Sequence, residues 1–274
     1  MKIALVAVFV VLAGGALLAQ TSDCTALTHQ ALEISGVNRT MDHAAEFVGS
    51  DEFLAPFTGP DGKTTEFTSA LKAIVAKHLS GNLLRKELQG RLAAHCNAEQ
   101  MTRTIQELQT PLMARMLALE AAANTPEGQQ KREKYAKIMS IAPPPDERLD
   151  AIADLDAAAD VTTFNVSSVI AIVRGMTQGA EINSDWANGL DQYRSQVTQQ
   201  LRKPVQLDLL SEYRTVSIPD LQQYTKELKS EPLKSFYGEI EKVLLEIVEN
   251  QAQLIGHDMK VTLNARVVSR GRNP

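Results

Sequence analysis

The side chains able to do chemistry are scattered along this chain. Histidines stand at His29, His43, His78, His95 and His257. None of them makes the spaced pair with an intervening acid by which a helix holds a catalytic zinc. The sequence has no Cys-x-x-Cys, no Gly-x-Ser-x-Gly elbow, no glycine-rich phosphate loop and no dinucleotide fingerprint. An enzyme would therefore have to assemble its site from distant His and carboxylate positions. Asp42-His43 and His95-Cys96 place a base beside an acid or a thiol, but adjacent residues on a helix point in different directions. The densest acidic run is Asp146, Glu147, Asp150, Asp154, Asp156 and Asp160. A calcium site would need a loop to fold such oxygens around the ion. The run reads instead as an acidic first turn facing the positive end of a helix dipole. A lone Trp186 among Gly, Asn and Ser usually closes a core edge, with its N–H satisfied. As an anchor for a ligand or partner it belongs with Tyr224, Phe236 and Tyr237, the expected lining of a groove. No catalytic residue, cofactor or metal ligand is assigned.

The elements that would position these residues are helical. Aromatic residues make up only 5% of the chain, leaving Leu, Ala, Ile, Val and Met to fill a core, a mixture that suits helix on helix. Ser35-Gly36 should break a first helix over about 23–48. Asn97 reads as an N-cap, Pro111 as a first-turn residue, and Ser217-Ile218-Pro219-Asp220 as a capped helix start. From Leu233 to Ile255 the apolar residues recur at helical spacing, with Lys234, Glu239, Lys242, Glu246 and Glu249 between them. That mixed polar face is not the Lys/Arg-rich one of a membrane-surface helix, so the segment should be the spine of a bundle. Pro143-Pro144-Pro145 cannot continue a helix and is the expected junction between two halves, 21–142 and 147–259, with 143–146 between them. The basic tail over 260–274 is expected to fray.

Bulk properties narrow the function classes. Twenty-eight Lys and Arg against 33 Asp and Glu give a net charge of −5, which argues against a nucleic-acid partner. Met1-Lys2, an apolar run from Ile3 to Leu18 and small residues through Ser22 have the layout of a secretory signal peptide over 1–20. Cleavage is expected after Ala19 or Gln20, the alternative being an uncleaved anchor. No later segment is apolar for the roughly 18 residues of a membrane span. Asp23 directly before Cys24 does not resemble a lipobox. In an oxidising compartment Cys24 and Cys96 could form a disulfide; otherwise they are two independent small residues.

Two stretches look alike. Asn97 to Met101, then Glu107-Leu108 and Pro111-Leu112, can be laid on Ser217 to Leu221, then Glu227-Leu228 and Pro232-Leu233. The offset is 120 residues, with one inserted residue before the second proline. Leu32 to Met41 likewise faces Leu155 to Phe164. The expectation is an all-α bundle of two degenerate repeats of antiparallel helices. Ser217 to Phe236, a capped helix running into Ser230-Glu231-Pro232, resembles the core of a bacterial exported family catalogued as domain of unknown function two thousand and fifty-nine. The likeness is best over Ser217 to Ile255. Members commonly carry Gly after the Ser-Pro junction, where this chain has Lys234 and Ser235. The resemblance implies export and a small helical domain, and no reaction.

These readings predict a periplasmic or secreted helical protein. Its expected role is a non-enzymatic binding or interaction module of the bacterial envelope, with an envelope protein or an apolar small molecule as partner. The alternatives are a hydrolase-like envelope enzyme and a structural or stress-linked envelope factor.

Overall fold

A computed structural model describes residues 23–48, 66–182 and 185–270, so the expected signal peptide lies outside the described residues. These residues are helical throughout, and no strand occurs among them. Helix α1 covers 23–34 and α2 covers Val37–Val48. They are followed by α3 (Glu66–His78), α4 (Gly81–Ala94), α5 (Ala98–Leu108), α6 (Pro111–Ala123) and α7 (Pro126–Met139). Beyond the three prolines come α8 (Asp146–Ala159), α9 (Val161–Gly179), α10 (Asp185–Glu212), α11 (Ile218–Leu228) and α12 (Glu231–Arg270).

Local chemistry sets most of the helix starts. Asn97 Oδ1 accepts from the Gln100 N–H at 3.1 Å, and Ser217 Oγ from the Asp220 N–H at 3.2 Å. Thr110 and Thr125 cap α6 and α7 in the same way, each followed by a proline whose missing N–H costs nothing in a first turn. Left-handed backbone occurs at Gly36, Asp160 and, past the end of α9, Glu181 with φ +53°. Gly36 has φ +76° between α1 and α2, and Asp160 has φ +51° between α8 and α9. Glycine adopts that conformation freely. Asp160 is held there by its neighbours, because Asp156 accepts from both the N–H and the hydroxyl of Thr162 at 2.8 and 2.6 Å. The acidic run thus supplies the first turn of α8 through Asp146 and Glu147, and a clamp at its end.

One main core draws on both sides of the proline triplet. Leu32, Leu88, Leu108 and Met113 share it with Ile152, Leu210, Leu221 and Leu233. Helix α12 is its spine, lying against α3, α4, α5 and, along its greatest length, α9. That last pair meets backbone to backbone. A Cβ on Gly179 would stand 1.8 Å from the Gln253 carbonyl oxygen, and one on Gly256 would stand 2.1 Å from that of Met176. The expected frayed tail is in fact helix as far as Arg270. Lys260 pairs with Glu181 at 2.5 Å across to the end of α9, and Thr262 bonds back to the Asp258 carbonyl. The Sγ atoms of Cys24 and Cys96 are joined in a disulfide, with Cα atoms 5.8 Å apart, tying α1 to the α4–α5 turn.

The contacts around α5–α6 and α11–α12 recur at a constant spacing of 120 residues. Ser230 Oγ donates to Glu107 while Thr110 Oγ1 donates to Glu227 at 3.2 Å. Gln100 donates to Ser235 at 2.8 Å while Arg115 donates to Asp220 at 2.7 Å. The buried, half-buried and exposed positions of 97–119 return at 217–239 with a single difference, Met101 against Leu221. The spacing carries no inserted residue: the Ala114 N–H bonds Thr110 and the Lys234 N–H bonds Ser230 in the same register. The prolines simply occupy successive positions of the same first turn, a freedom any helix start allows.

Candidate functional site

A cavity of about 740 Å³ opens where these elements converge. Helix α6 contributes Glu120, α10 contributes Leu209 and Glu212, α11 contributes Tyr224, and α12 contributes Tyr237 and Glu241. The breaks at Gly36 and Asp160 border it, through Ser35 and Val37 on one side and Ala159 to Val161 on the other. Residues from before and after the proline triplet therefore line one space. Tyr213 follows α10 in a turn whose carbonyls are held by Arg148 of α8, which donates to Tyr213 O at 3.3 Å and Val216 O at 2.8 Å. Apolar packing seats Tyr213 and Tyr224, each 3% exposed, with ring centres 6.0 Å apart.

The polar centre is Glu120. Its Oε1 accepts from the hydroxyls of Tyr213 and Tyr224, both at 2.6 Å. Burial and then the Glu120 charge push both phenols well above their ordinary value, so each stays a donor. Tyr237 is raised for the same reasons in the same order. The Glu212 carboxyl is pushed up to about 8, first by burial and then by the neighbouring charge of Glu120. Its Oε1 is sealed from solvent and has no hydrogen-bond partner. At the outer edge Glu241 is raised to about 7 by partial burial and by Asp160. Exposed Lys229 and Lys234 stand at the mouth. Removing carboxylates from water costs several kcal/mol each unless they are paired or protonated, so this arrangement is expensive for the fold that carries it.

Of the residues expected to line a groove, Tyr224 and Tyr237 line this cavity. Phe236 does not. It packs edge-on against Tyr237, with ring centres 5.3 Å apart, and faces a smaller pocket of about 230 Å³ beside Cys96 and Leu92. Trp186 lies near the start of α10, and its side chain is outside the described residues, as is that of His43. His95 caps the end of α4. The histidines that meet an acid do so elsewhere. His78 Nε2 and Lys77 Nζ each lie 2.9 Å from Asp258 Oδ2, with His257 3.4 Å from Oδ1. Hydrogen bonds from His78 and Lys77 hold that carboxyl well below its usual range, and the cluster ties α3 to α12. Among the described residues no group of three His, Cys, Asp or Glu side chains could hold a metal ion. No single described helix is long and apolar enough to cross a membrane.

Sequence reasoning passed over Glu120, Glu212, Glu241 and Tyr213. The available signal was a carboxylate at an apolar position of a helical stripe. Glu120 follows Met113 and Met116 at helical spacing, and Glu212 follows Val205 and Leu209. The chain matches no family model, no curated protein and no solved structure.

Proposed function

We propose that this is an exported, non-enzymatic binding module of the bacterial envelope, which holds a small organic molecule in the Glu120–Glu212 cavity. The observation that carries the reading is a cavity of about 740 Å³ with Glu120, Glu212, Glu241 and Asp160 in its wall, within the size range of small-molecule sites. Holding carboxyl groups largely out of water at a cavity wall costs the fold several kcal/mol, a cost that a bound partner offsets. The half-polar lining suits an amphipathic molecule better than a purely apolar one.

The same reading takes the two halves as degenerate copies of one helical unit, which supports it from another direction. At the 120-residue spacing, Ile240 corresponds to Glu120 and Thr104 to Tyr224. Ile240 is buried in the core, so the frame accepts an apolar side chain where the other half has a carboxylate. Membership of the exported helical family of unknown function belongs to this proposal as well.

Native mass spectrometry of the protein purified from a periplasm tests the binding reading. The expected result is an added mass that disappears on denaturation and in a Glu120→Leu, Tyr224→Phe double variant that keeps its helix content. An adduct-free protein whose melting point no member of a chemically broad library raises would overturn it.

A second reading rests on Glu212, raised towards 8 beside Glu120, as a carboxyl pair for acid–base chemistry. Turnover of chromogenic glycosides or esters, lost in Glu212→Gln, would favour it over simple binding.

A further inference from the structure

The inner wall of the cavity is rich in acceptors and poor in donors. The Tyr213 and Tyr224 hydroxyls are already committed to Glu120. What lines the space for a ligand is the carboxyl groups of Glu120 and Glu212 and the edges of the Tyr213, Tyr224 and Tyr237 rings. We propose that the cavity takes an organic cation, an ammonium group on a small-molecule body, with Glu212 as its charge partner and the tyrosine rings around it. The proposal rests on the binding reading above and names its ligand class. Four carboxyl groups line the space, Glu120, Glu212, Glu241 and Asp160, against two ammonium groups, Lys229 and Lys234. The lysines are exposed at the mouth while Glu120 and Glu212 lie within. An anion would meet like charge at the inner wall. An ammonium group meets carboxylates, which attract it.

Binding of this kind exchanges a cation for a proton. The empty cavity avoids an unpaired buried charge by keeping Glu212 protonated up to about pH 8. A bound ammonium supplies the missing charge partner, and the proton leaves to solvent. The groups that share the field with Glu212 come from every surrounding helix. Glu120 faces it from α6, Tyr224 from α11, and Tyr237 and Glu241 from α12. Asp208, one turn back on α10, is raised by burial and partly offset by Arg132 of α7. Asp160 stands at the α8–α9 break, with Lys229 and Lys234 at the mouth. Glu241, raised to about 7, and Glu212, raised to about 8, ionise over this range, so the cavity grows more negative, and more attractive to a cation, as pH rises towards 8.

The test is calorimetric titration of the full mature chain with choline, benzyltriethylammonium and spermidine. Their neutral counterparts include 3,3-dimethylbutan-1-ol, the carbon isostere of choline. Titrations are run at pH 6, 7, 8 and 9 in buffers of different ionisation enthalpy. At least one cation should bind, with affinity rising up to about tenfold per pH unit between pH 6 and 8 and levelling above. Close to one proton should be released at pH 7. Glu212→Gln should abolish the release and weaken binding at least tenfold. Glu241→Gln, a half-buried position whose change threatens folding less, should weaken it severalfold. Neutral isosteres binding as tightly as the cations, with no proton release, would overturn the cation assignment and leave the binding reading standing. Failure of cations, neutral isosteres and matched organic anions alike would sink both.

Discussion

Replacing Glu212 by glutamine removes a titrating group and leaves the shape of the cavity intact. In the unfolded chain the carboxyl titrates near 4.5, whereas burial and Glu120 raise it to about 8 in the fold. At 1.36 kcal/mol per unit the difference corresponds to a penalty of roughly 5 kcal/mol once the group is ionised in both states. The sign follows from where the proton sits. Below pH 4.5 both states hold it and no penalty exists. Between 4.5 and 8 the unfolded chain has released the proton while the fold still keeps it, so stability falls steadily as pH rises. Above 8 the loss is complete. The glutamine variant stays neutral throughout and is spared this loss, while the smaller same-sign contribution of Glu241 is common to both proteins and cancels. Urea unfolding followed by circular dichroism at 222 nm, from pH 5 to pH 9, reads the difference directly. The two proteins should be within about 1 kcal/mol of each other at pH 5, and the variant more stable by several kcal/mol at pH 9. Parallel curves across that window would show that Glu212 is not held protonated in the fold, and the account of the cavity would fail with it.

Three other perturbations test the frame. Reducing the Cys24–Cys96 disulfide, which spans 72 residues, should cost about 4 kcal/mol in the chain-entropy treatment. The lowered urea midpoint should be reproduced by Cys24→Ser with Cys96→Ser in the absence of reductant. Gly179→Ala drives a Cβ into the Gln253 carbonyl and should destabilise by about 1–3 kcal/mol or more as α9 is forced off α12. Gly90→Ala in α4, where the new Cβ meets nothing within 4 Å, should stabilise by about 0.5–1 kcal/mol; equal thermal shifts in the two variants would contradict the packing described. Asn97→Ala and Ser217→Ala remove matching caps and should each cost about 1 kcal/mol, read as lowered urea midpoints with an unchanged slope.

The cavity shows how far a site can be read without coordinates. Tyr224 and Tyr237 were legible as aromatic residues on the apolar faces of capped helices, and both line the space. Phe236 sits next to Tyr237 in sequence yet faces another pocket, because successive residues on a helix point about 100° apart. Glu120 and Glu212 were passed over because a single carboxylate on an amphipathic helix is ordinarily solvated. Their chemistry arises only where α6, α10, α11 and α12 close around them.

The sequence by itself determined the helices and their starts. Asn97, Thr110, Thr125 and Ser217 cap within three residues of their own positions, Pro111 and Pro126 suit a first turn, and Gly36 adopts the left-handed backbone of a break at little cost. It also carried the matched stretches around Asn97 and Ser217, since caps and apolar spacing are local properties of the chain. Tertiary structure decided what those helices enclose. It set the matched stretches in one uninterrupted register, through bonds such as Ser230 to Glu107 and Thr110 to Glu227. It joined Cys24 to Cys96 and paired Lys260 of α12 with Glu181 at the end of α9. Above all it took Glu212 out of water. Desolvation depends on the summed burial by segments far apart in the chain, and no local pattern encodes that sum.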